Sequence, residues 1–326
     1  MHSRVPGPLP MVVVLACVAL GSIFIALLFG SFPVSAMQVF DSVFFPIPGI
    51  VHDVIWRLRL PRALAAFVCG GVLATSGVLL QVLLRNPLAD PYILGVSGGA
   101  ALGALCAMFL GAGLAGLNLA ALAGALAAIA IVFMLSFQAG DWNLHRLLLT
   151  GVVLSSGFAA LISLILVLAP QAQLKGMLFW LMGDLTHAGA STPAWVLLAV
   201  LLMVFVSWSR GLNVLALGAI KARALGVAAG GLQAAIYFGA ALATVAAVLL
   251  GGSIGFVGLM VPHALRLFGI HDHRWLLPAS ALVGGSFVVL ADTFARTVMS
   301  PQQLPVGVFT ALIGVPVLLL LLSRRS

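Results

Sequence analysis

The sequence predicts an all-α polytopic membrane protein of about ten transmembrane helices with both termini on the cytoplasmic side. Three observations carry that expectation. Hydrophobic residues make up 63% of the 326 and charged residues only 7%, and the mean hydropathy is +1.25, a composition foreign to soluble domains. Apolar runs close to the roughly 20 residues that carry a helix across the hydrocarbon core recur along the whole chain. Lysines and arginines stand singly where those runs end, as topology demands. The net charge of +8 therefore marks no nucleic-acid partner, because its residues never form a basic stripe. Membrane lipid is the expected surrounding.

The apolar runs lie near 10–30, 63–83, 92–112, 116–137, 147–169, 193–208, 229–250, 255–268, 275–295 and 306–322, within one transmembrane domain covering 1–326. In the first, Arg4 precedes Met11 to Phe29, and Val34-Ser35-Ala36 looks like a small-residue cleavage site. A run of about 19 residues exceeds a signal core of 7–15, so a retained helix over 10–30 is expected. Spans two to five occupy 57–169. The stretch from Arg59 to Gly103 joins two apolar runs through a polar hinge, Arg85, Asn86, Pro87, Asp90 and Pro91, and reads as a pore element. At 170–192, outside, a half-apolar segment with Phe179 and Trp180 suits a short helix lying in the interface. The sixth span, 193–208, is followed inside by 210–228. There Leu215, Ala222 and Leu225, broken by Gly218 and closed by Gly226, look like a docking surface. Spans seven to ten fill 229–322, the eighth being short and glycine-bearing. Laid alternately, these spans put ten of the fifteen lysines and arginines inside, which fixes the expected orientation.

Polar and small residues within the spans are the functional candidates. Gly99 with Gly103, and Gly226 with Gly230, form small-residue pairs that let helices approach closely. Gly251, Gly252, Gly255 and Gly258 fall within eight residues and predict a bent or broken element able to act as a gate. Cys17, Cys69 and Cys106 have no ligand-like spacing and read as packing residues. His263, His271 and His273 could be imagined as a metal site, but solvated loop residues are the simpler reading, and no metal is expected. Asp292 is the one acid deep within an apolar run. It is either a proton carrier or, more simply, the partner of Arg296 one turn on. Arg59, Arg62 and Arg296 share the outer boundary, where an arginine fork suits a carboxylate.

The order of the motifs RLPR, RNPLADP, LGVSGGA, SIGFVGLMVPHALRLFGIHDHR and the ADxxAR pattern at Asp292 and Arg296 resembles the iron-chelate and vitamin B12 permease family of type II ABC importers, over about 57–317. The resemblance implies that family's permease fold in the bacterial inner membrane. It implies a second copy of the chain, two ABC ATPase subunits and a periplasmic substrate-binding protein as partners. Arg59, Arg62 and Arg296 would then receive acidic residues of the binding protein. Leu217, Gly218, Ala222, Leu225 and Gly226 match the family's ATPase-coupling helix. Asn86, Pro87, Gly95, Ser97, Gly98, Gly255, Phe256, Gly258 and Pro262 would line the translocation path or its gate. The family often carries an acid near Ala219 or Ile220 and a glutamate where Gln303 stands, so contacts made by those charges are altered here.

The chain has no phosphate-cradling GxxxxGK loop around its two lysines, Lys175 and Lys221, so neither ATP nor magnesium is expected on it, and no other cofactor. It is expected to be a transport subunit, without its own enzyme activity, moving haem, a ferric siderophore or cobalamin by alternating access. The rival reading is an ion-coupled secondary transporter using Asp292. His187, on the outer segment, is a weak candidate haem ligand.

Overall fold

The structure is a computed structural model, and residues 8–45, 48–138, 141–186, 188 and 191–323 are described. Helix α1 (Pro8–Leu28) is followed by α2 (Ala36–Phe44). A reciprocal capping box opens α2, with the Ser35 hydroxyl accepting from Gln38 N and the Gln38 side chain accepting from Ser35 N. The next helix, α3 (Ile50–Asp53), runs through a π-helical stretch, Val54–Arg59, into α4 (Leu60–Leu83). The expected second span is thus the inner part of a continuous helix of 34 residues. The wide π turn re-aims the side chains of the arginine-bearing stretch.

Helix α4 is the centre of the molecule. It is apolar all round, and 94% of its most apolar window is buried, as a helix surrounded by others requires. It packs chiefly against α12 (Ala229–Gly251), α13 (Val257–Leu267) and α14 (His273–Thr297). Glycines bring those axes together. A Cβ at Gly70 would lie 2.1 Å from the Gly284 carbonyl oxygen, and one at Gly77 would lie 1.8 Å from that of Gly258. Gly77→Ala should therefore cost at least the 1–3 kcal/mol typical of overpacking, since backbone must move. Gly230→Ala, with nothing within 4 Å of its Cβ, should be neutral or slightly stabilising. Thermal unfolding of the two variants in detergent checks the contrast.

Beyond α4, a turn and one 3-10 turn, Pro91–Leu94, lead to α5 (Val96–Phe109) and α6 (Leu114–Ser136). The Gly99/Gly103 pair does seat these two helices together, with Cβ positions 2.4 Å from Gly124 O and 2.1 Å from Ala120 O. The Gly226/Gly230 pair makes no such contact; Gly226 is a positive-φ residue in a turn. A two-residue ladder pairs Phe137–Gln138 with Asp141–Trp142. Helix α7 (Leu144–Leu168), capped by Asn143, precedes α8 (Gln171–Met182), which falls on the expected interfacial segment. Helix α9 (Thr192–Ser207) turns by 69° into α10 (Ser209–Leu215). The short α11 (Ala219–Ala224) and the final helix α15 (Val306–Ser323) complete the set.

Among the described residues, six helices are long and apolar enough to cross a membrane, or seven if α9 and α10 form one bent span. Helices α5, α13 and α15 are shorter apolar helices. The expected third and eighth spans are shortened for one reason. The 3-10 turn before α5 and the glycine break before α13 take residues that an uninterrupted helix would have used. Cys69 is buried as expected, whereas Cys17 and Cys106 face outward.

Candidate functional site

At the end of the bundle where α4 begins, four arginines converge on a recess of about 370 Å³. Arg57 and Arg59 come from the π-helical stretch, Arg62 from the first turn of α4 and Arg296 from the last turns of α14. Leu185 and Thr186, beyond α8, and Gln303 form the facing wall. Arg62 holds Asp292 in a two-pronged pair, Nε to Oδ2 at 2.9 Å and Nη2 to Oδ1 at 2.8 Å, and its Nη1 donates to Gln303 Oε1 at 2.7 Å. The Asp292 side chain is 3% exposed and that of Arg62 is 13% exposed. The simple expectation that Asp292 pairs with Arg296 is thereby corrected. Arg296 turns instead to the carbonyl of Ala26 on α1.

Arg59 points inward as well. Its guanidinium donates to Leu27 O at 2.5 Å, to Leu28 O at 3.0 Å and to Phe32 O. The Leu27 and Leu28 carbonyls are ones that the end of a helix leaves without partners, so Arg59 caps α1 from another element, and through Phe32 it also ties down the segment that follows. Arg57 alone reaches out, its side chain 78% exposed and paired with Asp53 at 3.1 Å on the same helical stretch. The sequence reading gave Arg57 no role. Its exposure beside three inward-facing arginines makes it the group most open to a ligand carboxylate.

In mid-bundle the hinge after α4 meets the glycine break before α13. Asp90 caps the 3-10 turn by accepting from Tyr92 N at 2.8 Å. The Tyr92 hydroxyl donates to Ile254 O at 3.0 Å and accepts from Ile254 N at 2.9 Å. Ser97 and Ser253 hydroxyls lie 3.0 Å apart. Gly258 sits under Pro91 and Gly98 under the Phe158 ring. Gly95, at φ +72°, turns the chain into α5, and Phe256, at φ +69°, starts α13. Pro262 is buried inside α13, while Gly255 borders open space. The two interrupted helices are thus pinned to each other through backbone groups that the interruptions set free. Asn86 and Pro87 lie apart from this joint, nearer the surface at the other end of α4. Tyr92, whose hydroxyl ties the joint, carried no sequence signal beyond its place after Pro91.

At that same end, Gly218 (φ +116°) and Gly226 (φ +79°) bracket α11. Ala222 is fully buried, and Leu217, Ile220 and Leu225 are 63%, 80% and 66% exposed. One small residue anchors the helix while three large apolar side chains face outward, an arrangement that marks a contact surface. Ile220, expected only as a departure, is the most exposed of the three. Asp272, in the turn before α14, is held below the usual carboxylate range by Asn213 Nδ2 and the Arg274 backbone N–H. Among the described residues no three His, Cys, Asp or Glu side chains gather as a metal site. His187 lies outside the described residues.

Comparison with known proteins agrees with this arrangement. The model of the FecCD transport family matches residues 17–324. The vitamin B12 import system permease protein BtuC of Shigella sonnei (strain Ss046) is 40% identical over 278 residues, covering 83% of this chain and 84% of that one. That of Escherichia coli O127:H6 shows the same identity and coverage. A solved inward-facing metal-chelate type ABC transporter superposes with a TM-score of 0.84 at 32% identity, over 98% of this chain and 100% of that chain. PsaBC from Streptococcus pneumoniae, at 14% identity and a TM-score of 0.53 over 88% of this chain and 94% of that one, shares the fold alone. The chain belongs to the FecCD transport family, as a multi-pass permease of an ABC importer in the bacterial inner membrane.

Proposed function

We propose that two copies of this chain form the permease of an ATP-driven importer that carries a bulky metal chelate from periplasm to cytoplasm by alternating access. The observation that carries the reading is the polarity of the bundle along α4. A recess of arginines stands at one end, and an exposed apolar helix, α11, stands at the other. In this reading the recess faces the periplasm and receives acidic side chains of the substrate-binding protein. Arg57 presents charge there, while Arg59, Arg62 and Arg296, each bonded within the fold, hold the wall. Helix α11 faces the cytoplasm and seats an ATPase subunit, which binds the ATP and magnesium. All ten apolar segments lie in one permease domain over 1–326, with both ends inside.

Support for the second copy comes from α7. Only 6% of its most apolar window is covered within the chain, and its exposed face mixes Ser156, Gly157 and Ser163 with valine and leucine. Small, weakly polar groups suit a path between copies that must not bind its cargo tightly. The joint of Tyr92, Ser97, Ser253 and Ile254 is the element whose rearrangement would gate that path.

The 40% identity to vitamin B12 permeases supports a corrinoid as cargo. The likeness to a metal-chelate type transporter supports haem or a ferric siderophore as the second reading. Proteoliposomes holding the permease, its cognate ATPase and binding protein should accumulate one of cobalamin, haem and a ferric siderophore only with ATP. Uptake that ignores ATP and follows a proton gradient would overturn the importer mechanism in favour of coupling through Asp292.

A further inference from the structure

At the end of α4 opposite the arginine recess, a cavity of about 460 Å³ opens between the last turn of α4, α10 and the turn joining α13 to α14. Gln81, Arg85, Asn213, Arg266, His271 and Asp272 line it, with His273 beside them. Most of its polar groups are already engaged within the fold. Gln81 donates to Gly258 O and Leu259 O at 3.3 and 3.2 Å and accepts from Arg266, so the Arg266 guanidinium is fixed in place. The one carboxylate, Asp272, accepts from Asn213 Nδ2 at 2.8 Å and from Arg274 N at 3.0 Å. His273 Nδ1 is bonded to Asn213 Oδ1 at 2.5 Å, and its buried Nε2 has no partner. Among the described residues, neither guanidinium in the cavity has a carboxylate partner. Arg85 is exposed, sits at φ +49° just past the end of α4 and lines the cavity. Its Nη1 comes within 3.3 Å of the point where a Cβ on Gly218 would stand, so it borders the start of α11.

We propose that this cavity is a receptor for an acidic side chain of the ATPase subunit. The inference rests on the permease reading and deepens it. Charge complementarity selects an anion, since Arg85 and Arg266 face the cavity and Asp272 is engaged. Continuity with α11 selects a protein as its source. The cation borders Gly218, which stands in the chain between exposed Leu217 and Ile220, and an apolar patch rimmed by a charge is matched by a folded partner rather than by a free ion. The apolar side chains of α11 supply contact area, and the arginine pair sets register and selects the partner. Arg85 makes a two-pronged bond to a carboxylate possible, which a lysine there would not reproduce.

The test measures binding of the cognate ATPase subunit to the full-length permease in detergent, from about 50 to about 500 mM salt, a range over which screening shortens several-fold. Arg85→Gln should weaken binding about tenfold at the low-salt end and flatten the salt dependence, as loss of a partly exposed ion pair does. Arg85→Lys should recover the salt dependence and only part of the affinity. Ile220→Ser should weaken binding with the salt slope unchanged. Among the described residues the Arg85 side chain makes no hydrogen bond or ion pair, so unchanged thermal unfolding of the variants keeps the comparison clean. Equal affinity and salt slope for Arg85→Gln and the natural chain would overturn the receptor. Inorganic phosphate that raises the unfolding temperature of the natural permease but not of Arg85→Gln, with ATPase binding indifferent to the substitution, would assign the cavity to a small anion and also overturn it. Failure of the natural permease to bind its ATPase at any salt would instead sink the permease reading beneath both.

Discussion

Asp292→Ala should lower the stability of the permease by about 3–5 kcal/mol, the cost of removing one partner from a buried ion pair. The reason is the count of charges around it. Arg59 and Arg296 are buried, Arg62 nearly so, and all three line one recess. Asp292 is the carboxylate that Arg62 grips with two nitrogens. Without it, three guanidiniums would share a small recess, Arg59 and Arg296 held by main-chain carbonyls and Arg62 by the Gln303 amide oxygen. A lower unfolding temperature in detergent, or loss of the folded protein, is the expected result. Asp292→Asn keeps an acceptor for Arg62 and should lose less stability while leaving ATP-driven uptake unresponsive to a proton gradient. If Asp292→Asn removed uptake from a well-folded permease, the carboxylate would have to be moving protons, and the ion-coupled mechanism would return.

Arg57→Glu should abolish the stimulation of ATP hydrolysis by the loaded binding protein at physiological salt while leaving fold and ATPase assembly intact. Arg57 is largely solvated, so reversing it disturbs no buried group, yet it places a negative charge at the mouth of the recess where acidic side chains would dock. Like charges across an interface cost several kcal/mol, ample to suppress a docking step. Reversal of Arg59 or Arg296 is not an equivalent experiment. Arg59→Glu would set a carboxylate against the carbonyls of Leu27, Leu28 and Phe32, and the expected outcome is misfolding. Stimulation unchanged in Arg57→Glu would show that the recess does not receive the binding protein.

Much of this architecture was legible from residue order. The apolar runs, the polar hinge after α4 and the glycine-rich break before α13 all stand where composition placed them, because a membrane tolerates so few ways of arranging such residues. The bracketing of α11 by Gly218 and Gly226 was equally legible, since both take positive φ. Less legible were α2 and the extension of the second span back to Ile50. Their residues alternate polar and apolar without the length that announces a span. The exposed apolar face of α11 was half visible. Leu217 and Leu225 were expected on it, whereas the prominence of Ile220 follows from how Ala222 seats the helix.

The sequence by itself determined that this is a helical membrane protein, where its helices break, and that its arginines gather at span ends. Those features follow from local composition and from the cost of exposing backbone to lipid. Only the tertiary structure decided what each charge does. Arg296 is one turn from Asp292, the nearest partner that helix spacing offers, yet the carboxylate is held by Arg62, 230 positions away in the chain. Close packing of α4 on α14 through Gly70 and Gly284 brings those two side chains together and leaves Arg59 and Arg296 to the end of α1. Spacing along one helix can name candidates for a bond. Where buried polar groups compete, the choice belongs to whichever elements the packing sets side by side.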